Sequence, residues 1–565
     1  MEAALPDFGF TSLLPPLIAI ALALLTRRVL LPLATGILVG AALLGRADSE
    51  ADWGWATLRY FTQSIENSIT DHDHMMVLSF TLLLGMMVGV IEIAGSMRRA
   101  IQRLARRVKD RRGVQTLIAA SGLAVFFDDY ANTLLVGGTM QSTSDRFGIS
   151  RAKLAYLVDS TAAPVAGLAL VSTWVATELS YLQAGIDASA YSQSSSIRVF
   201  DFFLQSIPYR FYPWFALVLV FIIARTGRDF GPMRRAEQEA VDQHHRDTST
   251  ARVPGSSEQP DDASSPQEAD AAAPSTWQDA AAALGPIAVC LIAVLTTLVV
   301  TGQNEASSAR AADDSVWLHQ VRWAGDVIGS GDSYLALVIG GGCGLAFAVL
   351  LALSLSRLSL RGLGRGVFVG ALQMMPAMAV LWLAWALSAM TGKEALDTGG
   401  YLASVLSDQI DIRLLPTCVF ILSGGIAFAT GTSWGTMAIV TPIAVSLVLD
   451  MQAGSAAVAG EMAVNSPLAL ATFSSVLAGA IFGDHCSPLS DTTVLSSRAC
   501  GCDHVLHVRT QIPYALLGGA VCVLTGTLPV ACGVPVWICL GVGLICLLAA
   551  VHTFGRPVAA TEPAK

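Results

Sequence analysis

Apolar windows close to the length of a membrane span recur along the chain, at 12–26, 28–45, 75–95, 207–225, 280–302, 332–355, 366–390, 512–531 and 535–552. A bilayer core is crossed by roughly 20 apolar residues of helix, so the pattern predicts an all-α polytopic membrane protein. A transmembrane barrel is excluded, because its strands alternate polar and apolar positions over about 10 residues. Composition agrees: hydrophobic residues make up 53 % of the 565 and charged residues 14 %, where soluble domains carry about a quarter charged. The first apolar segment follows MEAALPDFGF, which has no basic stretch, and reads as a retained helix rather than a cleaved signal. The cysteines lie mostly inside apolar windows and do not form a disulfide framework.

Polar residues between the windows set the organisation. Basic clusters fall at Arg27-Arg28, 97–112, Arg225–Arg235, 356–365 and 497–509, and neutral or acidic segments lie between them. Lys and Arg mark cytoplasmic loops. With about 11 full crossings this places the N-terminus outside and the C-terminus in the cytoplasm, in a bacterial inner membrane. Residues 229–278 are rich in Pro, Ser, Ala and acids and read as a disordered cytoplasmic linker. It separates a first repeat (1–228) from a second (279–533), followed by an extra helix and tail (534–565). The net charge of −9 suggests no nucleic-acid partner.

The two halves match. SGLAVFFDDYANTLLVGGTM (121–140) aligns with GGIAFATGTSWGTMAIVTPI (424–443), placing Gly122 on Gly425 and Thr133 on Thr436. APVAGLALVST (163–173) aligns with SPLSDTTVLSS (487–497), placing Pro164 on Pro488 and Ser172 on Ser496. Matches in the same order, in halves entering the membrane from opposite sides by the charge rule, are the pattern of inverted-topology repeats. Short apolar flanks around 128–132 and 431–435 suggest re-entrant hairpins. Pro164 and Pro488 suggest broken helices, with a simple proline kink as the alternative.

These four interruptions carry the chemistry. Asp128, Asp129, Asp159, Asp484 and Asp491 lie in or beside membrane-depth sequence, where a charge costs about 2.5–3.5 kcal/mol or more. They must pair, take up protons or line a cavity. Either of Asp128 and Asp129 could instead cap a helix. Asn132, Thr133, Thr161, Thr432, Ser433, Ser487 and Thr492 add oxygen ligands suited to Na⁺. His485 either titrates near neutrality or bonds to a carbonyl of the break. Glu178 and Glu92 read as interfacial acids. Cys500, Cys502, His504 and His507 have a loosely metal-like spacing without a second ligand pair. No Walker loop, GxSxG or HExxH is present, so the chain reads as a non-enzyme driven by a gradient, with no cofactor beyond transported Na⁺ and H⁺.

FGDHCSPLSDTTVLSS, FFDDYANTLLVG, FATGTSWGTMAIVTPIA and STAAPVAGLALVSTWVATE closely resemble the motifs of the NhaC-type sodium/proton antiporter family. The resemblance covers roughly 10–226 and 279–552 and omits the linker. It implies the ion transporter superfamily, with inverted repeats, two re-entrant hairpins, elevator-like alternating access and often a homodimer. Asp128, Asn132, Thr133, Asp159, Thr432, Ser433, Asp484, Ser487, Asp491 and Thr492 match its motif positions. The implied function is exchange of Na⁺ for H⁺. The alternative is Na⁺- or H⁺-coupled movement of a small organic acid or amino acid. No cationic side chain is evident at depth in the sequence, which favours the simple cation. The partners expected are the lipid bilayer, the small cation or organic solute, and a second copy of the chain in a homodimer.

Overall fold

The computed structural model describes residues 8–26, 28–48, 51–191, 198–250, 277–306, 332–355, 358–406, 410–455 and 466–558. They are almost entirely helical. Ten helices are long and apolar enough to cross a membrane, or eleven if Val199–Tyr209 and Phe211–Thr226, bent by 45°, form one span. The window at 12–26 becomes the short helix Leu14–Thr26.

One group of helices builds a scaffold: Leu30–Ala47, Trp53–Thr70, His72–Ala94, Trp277–Ala306, Ser333–Ser354 and Leu360–Thr391. Lipid tails are as apolar as the side chains, so close backbone approach has to hold such helices together. Small residues make it possible. A Cβ on Gly370 would stand 2.1 Å from the Gly85 carbonyl oxygen, and one on Gly89 2.3 Å from that of Gly366.

The second group holds the polar interruptions. The first hairpin is Arg111–Ala124 followed by Asp129–Arg146; the second is Leu415–Thr430 followed by Ser433–Ser455. Each precedes a broken helix: Arg151–Ala166 with Val175–Asp187, and Pro467–Cys486 with Asp491–Ala499. The two halves therefore repeat the same order of elements. In the second, the chain turns at Gly431, whose φ of +72° is left-handed and free of strain only for glycine. Glycine again allows close packing. A Cβ on Gly483 would lie 2.3 Å from the Gly424 oxygen, and one on Gly479 2.4 Å from the Phe420 oxygen. Pro164 sits inside its helix and the break follows at 167–174, whereas Pro488 lies within the break itself.

The linker expected at 229–278 differs at both ends. Arg228 and Asp229 pair antiparallel with Pro557 and Arg556. Gly231–Thr250 is helical, with Met233, Glu237 and Val241 buried. That spacing of four lines one helix face. The Pro/Ser-rich composition begins only after it, and residues 251–276 lie outside the described residues. The final helix, Val536–Phe554, packs against Phe211–Thr226 of the first half.

Candidate ion site

At the first hairpin tip, the two neighbouring aspartates divide the tasks the sequence left open. Asp128 is the N-cap of Asp129–Arg146: Oδ1 accepts from the Ala131 amide at 2.7 Å and Oδ2 from the Thr173 hydroxyl at 3.1 Å. Asp129, 1 % exposed, has no aligned hydrogen-bond donor on either carboxylate oxygen, and the equally unpartnered Trp174 indole N–H stands beside it. Asn132 closes the tip, its Nδ2 donating to the Gly122 and Val125 carbonyls at 2.7 and 3.1 Å, while its Oδ1 stays buried and unpartnered. Thr133 and Thr161 donate to backbone of their own helices, so both hydroxyls serve structure in this conformation.

In the second half, Ser433 at the hairpin tip donates to Asp484 Oδ2, and Asp484 Oδ1 is buried without a partner. Asp128 and Asp484 both lie near enough to Asp129 for their charges to interact with it. Ser487 donates to the Phe428 carbonyl at 2.7 Å. Thr432 is half-buried, and Thr492 contacts Ser490 at 3.0 Å. His485 meets the Tyr212 hydroxyl through Nδ1 at 2.9 Å, and the Asp159 backbone carbonyl stands beside the ring without aligning with Nε2. Asp491 is the one exposed member of the five aspartates. It follows the break by one residue, and its side chain is exposed while Asp484 is buried. It still lies near enough to Asp484 for the two charges to interact across the break.

Asp159 is completely buried. Its Oδ2 accepts from Gln511 Nε2 at 2.5 Å and from the Thr493 hydroxyl at 3.1 Å, and its Oδ1 has no partner. Thr493 also reaches the Asp484 carbonyl at 3.3 Å, and Gln511 reaches that of His485 at 3.1 Å. Asp159 of the first half is thus tied to the second break. Sequence reasoning missed Gln511; a polar amide one residue before the apolar window 512–531 was the available signal.

Two backbone bonds join tips to breaks. The Thr173 amide donates to the Phe127 carbonyl at 2.9 Å in the first half, and the Asp491 amide to the Gly431 carbonyl at 3.2 Å in the second.

The expectation that no cation lies at depth is corrected. Arg210, 0 % exposed, places Nη2 2.7 Å from Glu178 Oε2. The two charges meet off hydrogen-bonding angles, since both Glu178 oxygens lack an aligned donor. Arg210 also donates to the Gly167 carbonyl, freed by the first break, and to Ser206 at 3.2 Å. Glu178 is therefore a buried ion-pair partner and not an interfacial acid. Arg210 escaped notice because it sits at the start of an apolar window, where arginine reads as a flank. Lys153 is likewise fully buried, against Asp229.

A family model described as the Na⁺/H⁺ antiporter family matches residues 165–528. A Haemophilus influenzae protein described as uncharacterized is 33 % identical over 513 residues, covering 89 % of this chain and 88 % of that one. A Bacillus subtilis malate-2H⁺/Na⁺-lactate antiporter is 39 % identical over 101 residues, 18 % of each chain. Among solved structures, the Alcanivorax borkumensis YdaH transporter, described as having an unusual topology, aligns with a TM-score of 0.52 at 16 % identity, covering 94 % of this chain and 99 % of that one. At that identity the likeness shows the fold alone. The family match, the transporter fold and the membrane helices converge: this chain is a secondary transporter and belongs to the Na⁺/H⁺ antiporter family.

Proposed function

We propose that the chain exchanges Na⁺ for H⁺ by alternating access, with Asp129 and Asp484 at the centre of the site. One observation carries this reading. Both Asp129 oxygens and Asp484 Oδ1 are buried without an aligned hydrogen-bond donor, although the Trp174 indole stands beside Asp129 and the Ser490 hydroxyl beside Asp484. An ionised carboxylate out of water and unpartnered is costly, so these oxygens favour a bound proton or a bound cation. Proton and Na⁺ then compete for the same oxygens, which is sufficient to couple their opposite movement. The Asn132 amide oxygen and the Ser433 hydroxyl add neutral oxygen donors suited to a hard cation. Asp128, fully engaged as a cap, positions the tip.

The basic segments support a cytoplasmic C-terminus. Arg111 pairs with Glu237, Arg151 donates to the Cys500 carbonyl at 3.0 Å, and Arg228 to that of His552 at 3.1 Å. These segments gather on one face, which the charge rule assigns to the cytoplasm. A homodimer is proposed from the family resemblance alone.

The second reading, exchange of a small organic acid, is favoured by the name of the Bacillus subtilis relative. Against it, the buried Arg210 is already occupied by Glu178, Gly167 and Ser206. Purified protein in liposomes containing a pH-sensitive dye separates the readings. With a ΔpH imposed and no organic solute, Na⁺ should drive proton movement that choline does not, and Asp129→Asn or Asp484→Asn should abolish it. Silence with every cation, in tight vesicles holding folded protein, would overturn cation exchange and call for a screen of carboxylates.

A further inference from the structure

The loop after the second broken helix brings together two histidines that the ion site does not use. Ser497 Oγ lies 3.1 Å from His504 Nδ1 and 2.9 Å from His507 Nδ1, and 2.7 Å from the Thr493 carbonyl oxygen. His504 Nε2 lies 2.7 Å from the Pro488 carbonyl oxygen. His507 Nε2 lies 3.0 Å from Gln511 Oε1. That amide orientation is fixed, because Gln511 Nε2 faces two acceptors, Asp159 Oδ2 and the His485 carbonyl.

The protons can be counted. The Pro488 and Gln511 oxygens only accept, so both rings carry a proton on Nε2. The Ser497–Thr493 approach of two oxygens needs the serine proton between them. With neutral rings, both Nδ1 atoms then present lone pairs to the lone pairs of Ser497 Oγ. Five contacts share three protons. A fourth proton, on either Nδ1, turns one repulsive approach into a charge-assisted hydrogen bond. A fifth would set two imidazolium ions around one hydroxyl.

We propose that Ser497, His504 and His507 form a proton-binding site that takes up one shared proton, separate from the carboxylate cluster and joined to it through Gln511. His504 is half-buried beside the loop at 500–503, so the site meets water on the basic face. Other charged or titratable groups near it are Asp503, which caps the next helix, Arg498 on the adjoining turn, Arg151, bonded to Cys500, and Asp159 and His485 beyond Gln511. With a proton present, His507 holds the Gln511 carbonyl more firmly, and with it the amide that Asp159 accepts from. The site stands whichever solute is carried.

The test is ¹⁵N NMR of histidine-labelled full chain in lipid bilayers across pH, with signals assigned through His504→Gln and His507→Gln. The expected result is one proton taken up by the pair in a single step, and both rings in the Nε2–H tautomer above it. In Ser497→Ala, proton affinity should fall about tenfold or more, the loss of one charge-assisted hydrogen bond. Two independent steps unchanged by Ser497→Ala would overturn the proposal. So would an Nδ1–H neutral tautomer on either ring, a measurement on the unaltered protein that needs no variant to fold.

Discussion

Removing both members of the buried pair at Arg210 should cost clearly less than the sum of removing each alone. Arg210 is 0 % and Glu178 3 % exposed, with 2.7 Å between their charged atoms. At an effective dielectric constant of about 20, the attraction at that separation is roughly 6 kcal/mol, set against several kcal/mol of desolvation per ion. Glu178→Gln keeps the shape and strands the guanidinium. Breaking a buried pair this way costs about 3–5 kcal/mol. The lower end applies here, because Arg210 keeps Gly167 and Ser206 as acceptors and the Glu178 contact is poorly aligned. About 3 kcal/mol is a factor of roughly 100 in the unfolding equilibrium. The assay is reversible unfolding in mixed micelles, titrated with a denaturing detergent and completed as a double-mutant cycle with Arg210→Met. The double variant should lose less than the sum of the singles by about 2 kcal/mol. Glu178→Gln within about 0.5 kcal/mol of the parent, or an additive cycle, would refute the reasoning.

Other sites give sharper, smaller tests. Asp128→Ala should lose about 1–2 kcal/mol of stability as a cap while Asp128→Asn loses little, and equal losses in the same unfolding assay would assign Asp128 to ion binding instead. Gly431→Ala forces a Cβ to 2.4 Å from the Leu489 oxygen at a φ of +72°, so it should destabilise by at least about 1–2 kcal/mol and slow exchange in liposomes. Burial, helped by the Asp503 charge and opposed by Arg151, pushes the Cys502 thiol up to about 12. Its thiolate fraction at pH 8 should then be about a thousandth or less of an ordinary cysteine's. Alkylation followed by mass spectrometry should rise tenfold per pH unit up to pH 10, and a plateau near pH 8.5 would contradict the burial.

The spans, the two hairpins and the two breaks were legible because membrane helices must be long and apolar, and departures such as FFDDYANT and GDHCSPLSD stand out against that background. The burial of Asp129 and Asp484 was legible on the same ground. The exposure of Asp491 was not, since only the geometry of the break between it and Asp484 decides which way its side chain turns. Gln511, Arg210 and Lys153 were hidden for a common reason. Each lies where an apolar stretch begins, and only tertiary packing reveals whether such a residue reaches water or folds inward. The helix at Gly231–Thr250 was obscured by the composition of the residues that follow it.

The two amide-to-carbonyl bonds between hairpin tips and breaks limit how this molecule can open. Thr173 to Phe127 and Asp491 to Gly431 stitch each hairpin to the broken helix of its own half, and Asp159, through Thr493 and Gln511, stitches the first half's broken helix to the second half. A hairpin flapping alone would have to expose a backbone amide and a carbonyl in a region short of water, and would lose the cap on its tip with them. A lower barrier is met if both hairpins and both broken helices travel as one block against the glycine-packed scaffold. The amides of Thr173 and Asp491 then become built-in gauges: protection from hydrogen exchange that persists through turnover indicates a moving block, and protection lost under turnover indicates a moving flap.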